Sequence, residues 1–271
     1  MPRIQIIVEY DGTRYAGWQR QENALTVQQV LEEKLSALTK EKIVLHWASR
    51  TDAGVHARGQ SAHFDTLSRI PAEKFSFAVN TMLPEDIRVQ LSREVPETFH
   101  ARFSTKGKRY CYWFQVSPHA SPLNRLNHAH VIYPLDEKIM QKEAADLIGK
   151  HDFAAFAASG SVVRDTVRTI YRADVERFGS EIRLTVEGSG FLYNMVRIIA
   201  GTLIGVGSGK IAPGAFARAI QTGNRLDLGV TAPAKGLTLM EVFYDPNDLV
   251  LHEVNTDGND QCNAPSETGG R

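Results

Sequence analysis

The sequence predicts an α+β fold built from two halves of split βαβ type, with antiparallel sheets joined around a central cleft. Three observations support this. Strand-like runs outnumber helical ones, the order of elements restarts near the middle of the chain, and one late pair of strands is joined by a two-residue turn. The chain of 271 residues is 42% apolar, enough to bury a sizeable core in one large or two ordinary domains.

The first half opens on IQIIVEY, a buried-strand pattern, and Val27, Val30, Leu31, Leu35 and Leu38 then fall at helical spacing. Thr26 and Gln29 have the form of a capping box at the start of that helix. Strand-like runs follow at 43–48 and 60–64, a short helix at 72–81 and a strand at 87–95, giving the order βαββαβ. Beyond a linker at 104–107 the pattern restarts with KRYCYWFQV, a strand near 128–133 and a helix over 136–149. Runs at 170–178 and 181–187 flank Gly179 and Ser180 and read as a hairpin. The helical run FLYNMVRIIAGTLIGV, a shorter helix after Pro213 and the strand LTLMEVFY complete the second half. The halves, 1–104 and 105–250, are thus expected to be RRM-like or ferredoxin-like units. Residues 251–271, polar and acidic, are expected to form a disordered tail.

Charge and targeting narrow the function classes. The net charge is zero, but the stretch from Asp245 holds six acidic residues and one base, leaving 30 basic against 25 acidic residues before it. That balance of about +5 suits a phosphate-binding face. The opening MPRIQIIVEYDG lacks a signal-peptide order, and no apolar run approaches the roughly 20 residues of a membrane span. A cytoplasmic protein with no membrane partner is expected. Cys111 and Cys262 are too few for a disulfide framework or a thiolate zinc site. GVGSGK at 205–210 lacks the Walker spacing and reads as a helix terminus, while His128 and His130 have no third metal ligand and read as solvated.

The densest polar cluster is ASRTDAGVHARGQ, which places Arg50, Thr51, Asp52, His56 and Arg58 between two strand-like runs. A loop at strand ends is where catalytic groups are displayed, but Thr51, Asp52 and Gly54 would also form an ordinary turn. On KRYCYWF, alternation puts Tyr110, Tyr112 and Phe114 on one face and Cys111 and Trp113 on the other. Such a ring can serve as core or as a platform for a displaced base, with Lys106, Lys108 and Arg109 beside it for phosphate. Arg197, early in the apolar helix, calls for a carboxylate partner wherever it is buried.

RTDAGVHA resembles the signature loop of the TruA family of tRNA pseudouridine synthases. VEYDGTRYAGWQRQ with TVQQVLE, FHARFSTKGKRYCYWF, GSGFLYNMVRIIAGTL and GLTLMEVFYD resemble its other segments in the same order, covering residues 3–245. The resemblance implies an isomerase that converts uridine to pseudouridine at tRNA positions 38, 39 and 40, in the anticodon stem-loop. It implies Asp52 as catalytic nucleophile, Tyr110 against the target base, Arg50 and Arg197 around the aspartate, and Leu237 as an apolar wall. No cofactor or metal, no DNA partner and a homodimer holding tRNA are also implied.

The reaction breaks N1–C1′ and joins C5 to the same sugar. A single carboxylate can start it, by attack on C1′ or by removal of a sugar proton. Two other classes compete. Paired RRM-like halves could bind RNA passively, and an RNA glycoside hydrolase would need a second carboxylate, for which Glu22 and Asp11 are the nearest in sequence. Ser49 stands before Arg50 where the resembled family usually has glycine. In extended backbone a serine there is unstrained, with its hydroxyl free to bond neighbouring backbone.

Overall fold

The computed structural model describes residues 1–158 and 165–249, so the acidic tail expected at 251–271, and Cys262 within it, lie outside the described residues. Strand β1 (Arg3–Tyr10) leads into helix α1 (Val27–Thr39). There Thr26 Oγ1 accepts the Gln29 amide at 3.4 Å, while the Gln29 side chain donates instead to Glu33. Only the threonine half of the expected capping box therefore forms.

The 43–48 run gives a strand of two residues, β2 (His46–Trp47). Ile43 and Leu45 are buried, but their amides go to the Ser36 hydroxyl and the Glu32 carboxylate of α1, at 3.0 Å each, rather than to a neighbouring strand. Strand β3 (His56–Asp65) is longer than expected and starts inside the polar loop. A 3-10 turn at Ala72–Lys74 precedes α2 (Phe75–Asn80), and β4 (Ile87–Val95) follows.

Next come β5 (Gly107–Val116), β6 (Ala129–Val131), α3 (Glu137–Ala145) and β7 (Gly149–Asp152). Helix α3 stops short of the expected 149 because the chain turns there into β7, with Gly149 at φ +113°. The hairpin is present as β8 (Val167–Phe178) and β9 (Glu181–Gly188), closed by the Phe178–Glu181 pair. Helices α4 (Met195–Gly207) and α5 (Ala215–Thr222) and strand β10 (Leu237–Phe243) follow. GVGSGK is the C-terminal end of α4, as expected.

All ten strands share one sheet, in the order β4-β1-β3-β10-β5-β9-β8-β7, with β2 on β3 and β6 on β5. The fold is α+β and its sheet is mixed, because β10 runs parallel to β3 and β6 parallel to β5. The last strand lies between β3, to which it is parallel, and β5, to which it is antiparallel. One sheet face carries Ile4, Ile6, Val8, Tyr110, Tyr112 and Phe114 into a core shared with Leu31, Phe75, Met140 and Ile199 of the helices. No helix of the described residues is long and apolar enough to cross a membrane.

Candidate active site

The loop that holds Asp52 is fixed from behind by the chain's opening segment. Gly17, at φ +88°, lies so close that a Cβ would meet the Thr51 carbonyl oxygen at 2.4 Å, and a Cβ on Gly12 would meet the Val55 carbonyl at 2.0 Å. Only glycine permits these approaches. Trp18 N donates to Thr51 O at 3.2 Å, Thr51 Oγ1 bonds Tyr10 Oη at 2.7 Å, and Val55 N donates to Asp52 O at 3.1 Å. Thr51 therefore faces inward and Asp52 is turned out, half-buried, into a cleft of about 710 Å³.

That cleft gathers most of the sequence-predicted site. Arg50, Asp52, Tyr110 and Leu237 line it, and Arg197 reaches Asp52 from the first turn of α4. The Arg197 guanidinium donates from Nη1 to Asp52 Oδ2 at 3.1 Å and to Asn194 Oδ1 at 2.8 Å, and from Nε to Ala232 O at 2.9 Å. Asn194 stands at the N-cap in left-handed backbone (φ 60°), and its side chain holds Arg197 instead of capping the helix. A cation at a helix N-terminus opposes the helix dipole. The Asp52 carboxylate offsets this across 145 residues of sequence.

Strand pairing brings the remaining residues in. The β10–β5 register sets Leu237 against Tyr112 and Leu239 against Tyr110, while Thr238 pairs with His56 just after the Asp52 loop. Leu237 and Tyr110 are consequently diagonal neighbours beside the aspartate. Tyr110 Oη bonds Ser49 Oγ at 2.8 Å, and the Phe191 ring meets the Tyr110 ring edge-on at 5.2 Å between centroids. Burial, reinforced by the Asp52 charge and opposed by the Ser49 hydrogen bond, pushes the Tyr110 phenol up to about 12. It remains a neutral phenol at neutral pH. Ser49 lies outside the positive-φ region, as expected, but its hydroxyl finds a side chain rather than backbone.

Arg50 is exposed at the cleft rim with no carboxylate within ion-pair distance among the described residues. His56 points elsewhere: Nδ1 accepts the Gly12 amide at 3.1 Å, and Nε2 donates to Leu126 O at 2.9 Å and Lys235 O at 3.1 Å. It fastens three loops together and, with Asp11, Arg58, Cys111 and Trp113, borders a second cleft. The alternation of KRYCYWF thus holds, with Tyr110 and Cys111 opening on different clefts. Of the three cations expected beside Tyr110, Lys108 alone lines the Asp52 cleft; Arg109 instead pairs with Glu187 and Glu241 at 2.7 and 3.0 Å. His128 is buried against Trp113 rather than solvated, because β6, which it precedes, pairs parallel with β5. Sequence reasoning missed Phe191, Arg102 and Arg168, all of which line the cleft. Phe191 and Arg102 lie in the segments GSGFLYNMVRIIAGTL and FHARFSTKGKRYCYWF that carry the resemblance, whereas Arg168 had no signal.

An aspartate held by one arginine donor, beside a tyrosine and a leucine wall in a cation-rich cleft, defines an enzyme site suited to a nucleotide substrate. The model of the tRNA pseudouridine synthase family matches residues 6–104 and 144–245. The chain is 51% identical over 245 residues to tRNA pseudouridine synthase A of Ruminiclostridium cellulolyticum, covering 90% of this chain and all of that one. It is 49% identical over 244 residues to the protein of the same name from Acetivibrio thermocellus and 45% identical to that of Brevibacillus brevis, at the same coverage of both chains. The chain belongs to the TruA family of tRNA pseudouridine synthases. It is an isomerase.

Proposed function

We propose that the enzyme isomerises uridine at positions 38, 39 and 40 of the tRNA anticodon stem-loop, with Asp52 as nucleophile and no cofactor. The observation that carries this reading is that Asp52 is the single carboxylate lining the cleft among the described residues, and is held there by Arg197 at 3.1 Å. A hydrolase of the usual two-carboxylate design would need a second acid across the bond. Asp11 borders the other cleft and Glu22 borders neither.

In the proposed reaction the target uridine leaves its stack and enters the cleft, its base packed between Tyr110 and Leu237. Asp52 engages the ribose while N1–C1′ breaks, the base turns, C5 joins C1′, the hydrogen on C5 passes to solvent as a proton, and N1 takes up a proton in its place. Arg197 fixes the carboxylate so that one oxygen faces the sugar, and Arg50 at the rim takes the place of the flipped base or steers its phosphate. The same reading divides the chain into halves 1–104 and 105–250 meeting at this cleft, and makes the enzyme a cytoplasmic homodimer that grips tRNA and neither DNA nor membrane. Incubation with tRNA tritiated at uridine C5 tests it. Tritium release with the base retained is expected, whereas loss of free uracil would establish a hydrolase and no release would leave only binding.

A further inference from the structure

Lys108 stands two residues before Tyr110 on β5, so both side chains leave the same face, about 6.6 Å apart along the strand. Its ammonium donates to Ala48 O at 3.0 Å. An ammonium has three donors, and among the described residues no carboxylate lies within ion-pair distance of this one. Its neighbours are cations. Burial, aided by the Arg102 and Arg168 guanidiniums, pushes the Lys108 amine down to about 8.

Neither arginine has a close, buried counter-charge among the described residues. Arg102 is exposed, lies 5.7 Å from the Phe103 ring centroid and has no acidic partner among the described residues. Arg168 donates to the backbone oxygens of Asp165 and Val167, and the carboxylate nearest to it, on Asp165, is 3.9 Å away and 81% exposed. All three line the Asp52 cleft, where Asp52 is already committed to Arg197. The adjacent Arg109, on the opposite sheet face, has two carboxylates. Among the described residues, Arg109 is thus closely paired on its face, whereas on the other Lys108 and Arg102 have no carboxylate and Arg168 has only exposed Asp165 at 3.9 Å. A partly buried cation without a counter-charge is costly, and three cations lining one space make a site for an anion supplied from outside.

We propose that Lys108, Arg102 and Arg168 form the site for the backbone phosphodiester flanking the target uridine, with Lys108 as the half-buried contact. The spacing along β5 then sets that phosphate one alternation from Tyr110, about the reach from a nucleotide's sugar to its own phosphate. The proposal rests on the Asp52 cleft being where the uridine enters. It assigns register, since phosphate contacts position a nucleic acid while base contacts select it.

The test is binding of an anticodon stem-loop RNA to the full-length chain carrying Asp52→Asn, so that turnover does not intervene, at several salt concentrations. Adding Lys108→Gln is expected to weaken binding roughly tenfold and to lower the salt slope by about 0.7 to 0.9, whereas Lys108→Arg retains most of both. RNAs carrying one neutral methylphosphonate 5′ or 3′ of the target uridine locate the contact. One of them should bind the lysine protein about tenfold more weakly and the Lys108→Gln protein no more weakly still. An unchanged salt slope, or losses that multiply in full for both RNAs, overturns the proposal. If Lys108→Gln lowers the melting temperature sharply, Arg102→Gln at the exposed rim gives the same readouts. Failure of the isomerase reading would appear separately, as no tritium release by the unaltered chain.

Discussion

Removing the Ser49 hydroxyl isolates the hydrogen bond that ties the Asp52 loop to Tyr110. Both residues are buried, at 7% and 6% exposure, and their oxygens are 2.8 Å apart. A neutral hydrogen bond contributes about 1 kcal/mol net, and a phenol left without a partner costs about 1 to 3 kcal/mol. The Tyr110 side chain lines an open cleft, so water can replace the lost partner and the lower end applies. Ser49→Ala is accordingly expected to lower kcat/KM by about fivefold, short of the tenfold that roughly 1.4 kcal/mol would produce. Ser49→Gly adds backbone freedom to the same loss and should also stay within tenfold, since no left-handed conformation at 49 awaits relief. Steady-state tritium release from one tRNA preparation measures both variants. Tyr110→Phe removes the other partner, and the double variant with Ser49→Ala should lose no more than the larger single loss. A fall beyond a hundredfold in Ser49→Ala with unchanged melting temperature would refute the reasoning, because it would give the hydroxyl a part in the chemistry.

Arg197→Met removes the Asp52 partner along with the bonds to Asn194 and Ala232. Because the pair is only partly buried, at 18% and 23% exposure, a loss of about 2 kcal/mol is expected, roughly thirtyfold in kcat, with Arg197→Lys recovering part of it in the same assay. His63, buried with Nε2 lacking a partner and Nδ1 accepting the Ala101 amide at 3.1 Å, is pushed down to about 4 chiefly by burial, with Arg3, His100 and His46 adding to it. The unfolded chain binds the extra proton first. Its contribution is therefore complete above the unfolded value near 6.5 and is lost as pH falls towards 4. Urea midpoints should drop between pH 7 and pH 5, and less steeply in His63→Asn; equal slopes would remove His63 as the cause.

Much of this site was legible because its residues lie in short segments with strong local character. The 3.6-residue period of α1, the Gly-Ser hairpin and the two-residue alternation of KRYCYWF each specify geometry within one element. What local pattern could not show is where β10 inserts. Its place between β3 and β5 is a pairing across more than 100 residues, and it alone makes Leu237 a neighbour of Tyr110. The 43–48 run misled because its apolar alternation is satisfied by insertion into the core, with Ser36 and Glu32 taking the amides a strand partner would otherwise hold. Strand β7, KHD, had no apolar signal at all. Arg168 escaped notice for a related reason: it is an unremarkable cation in sequence, and only the fold sets it, with Arg102 of the FHARF segment, beside Lys108.

The central claim is that the Asp52 carboxylate carries the chemistry in this cleft. Asp52→Asn keeps the side chain's shape, and the amide oxygen can still accept from Arg197, so the cleft should stay folded and able to bind tRNA. The decisive measurement is tritium release from C5-tritiated tRNA by Asp52→Asn beside the unaltered chain, with tRNA affinity measured on both. Affinity within a few-fold and turnover reduced by several orders of magnitude is the predicted result. Substantial release by Asp52→Asn would contradict it and would place the nucleophile elsewhere.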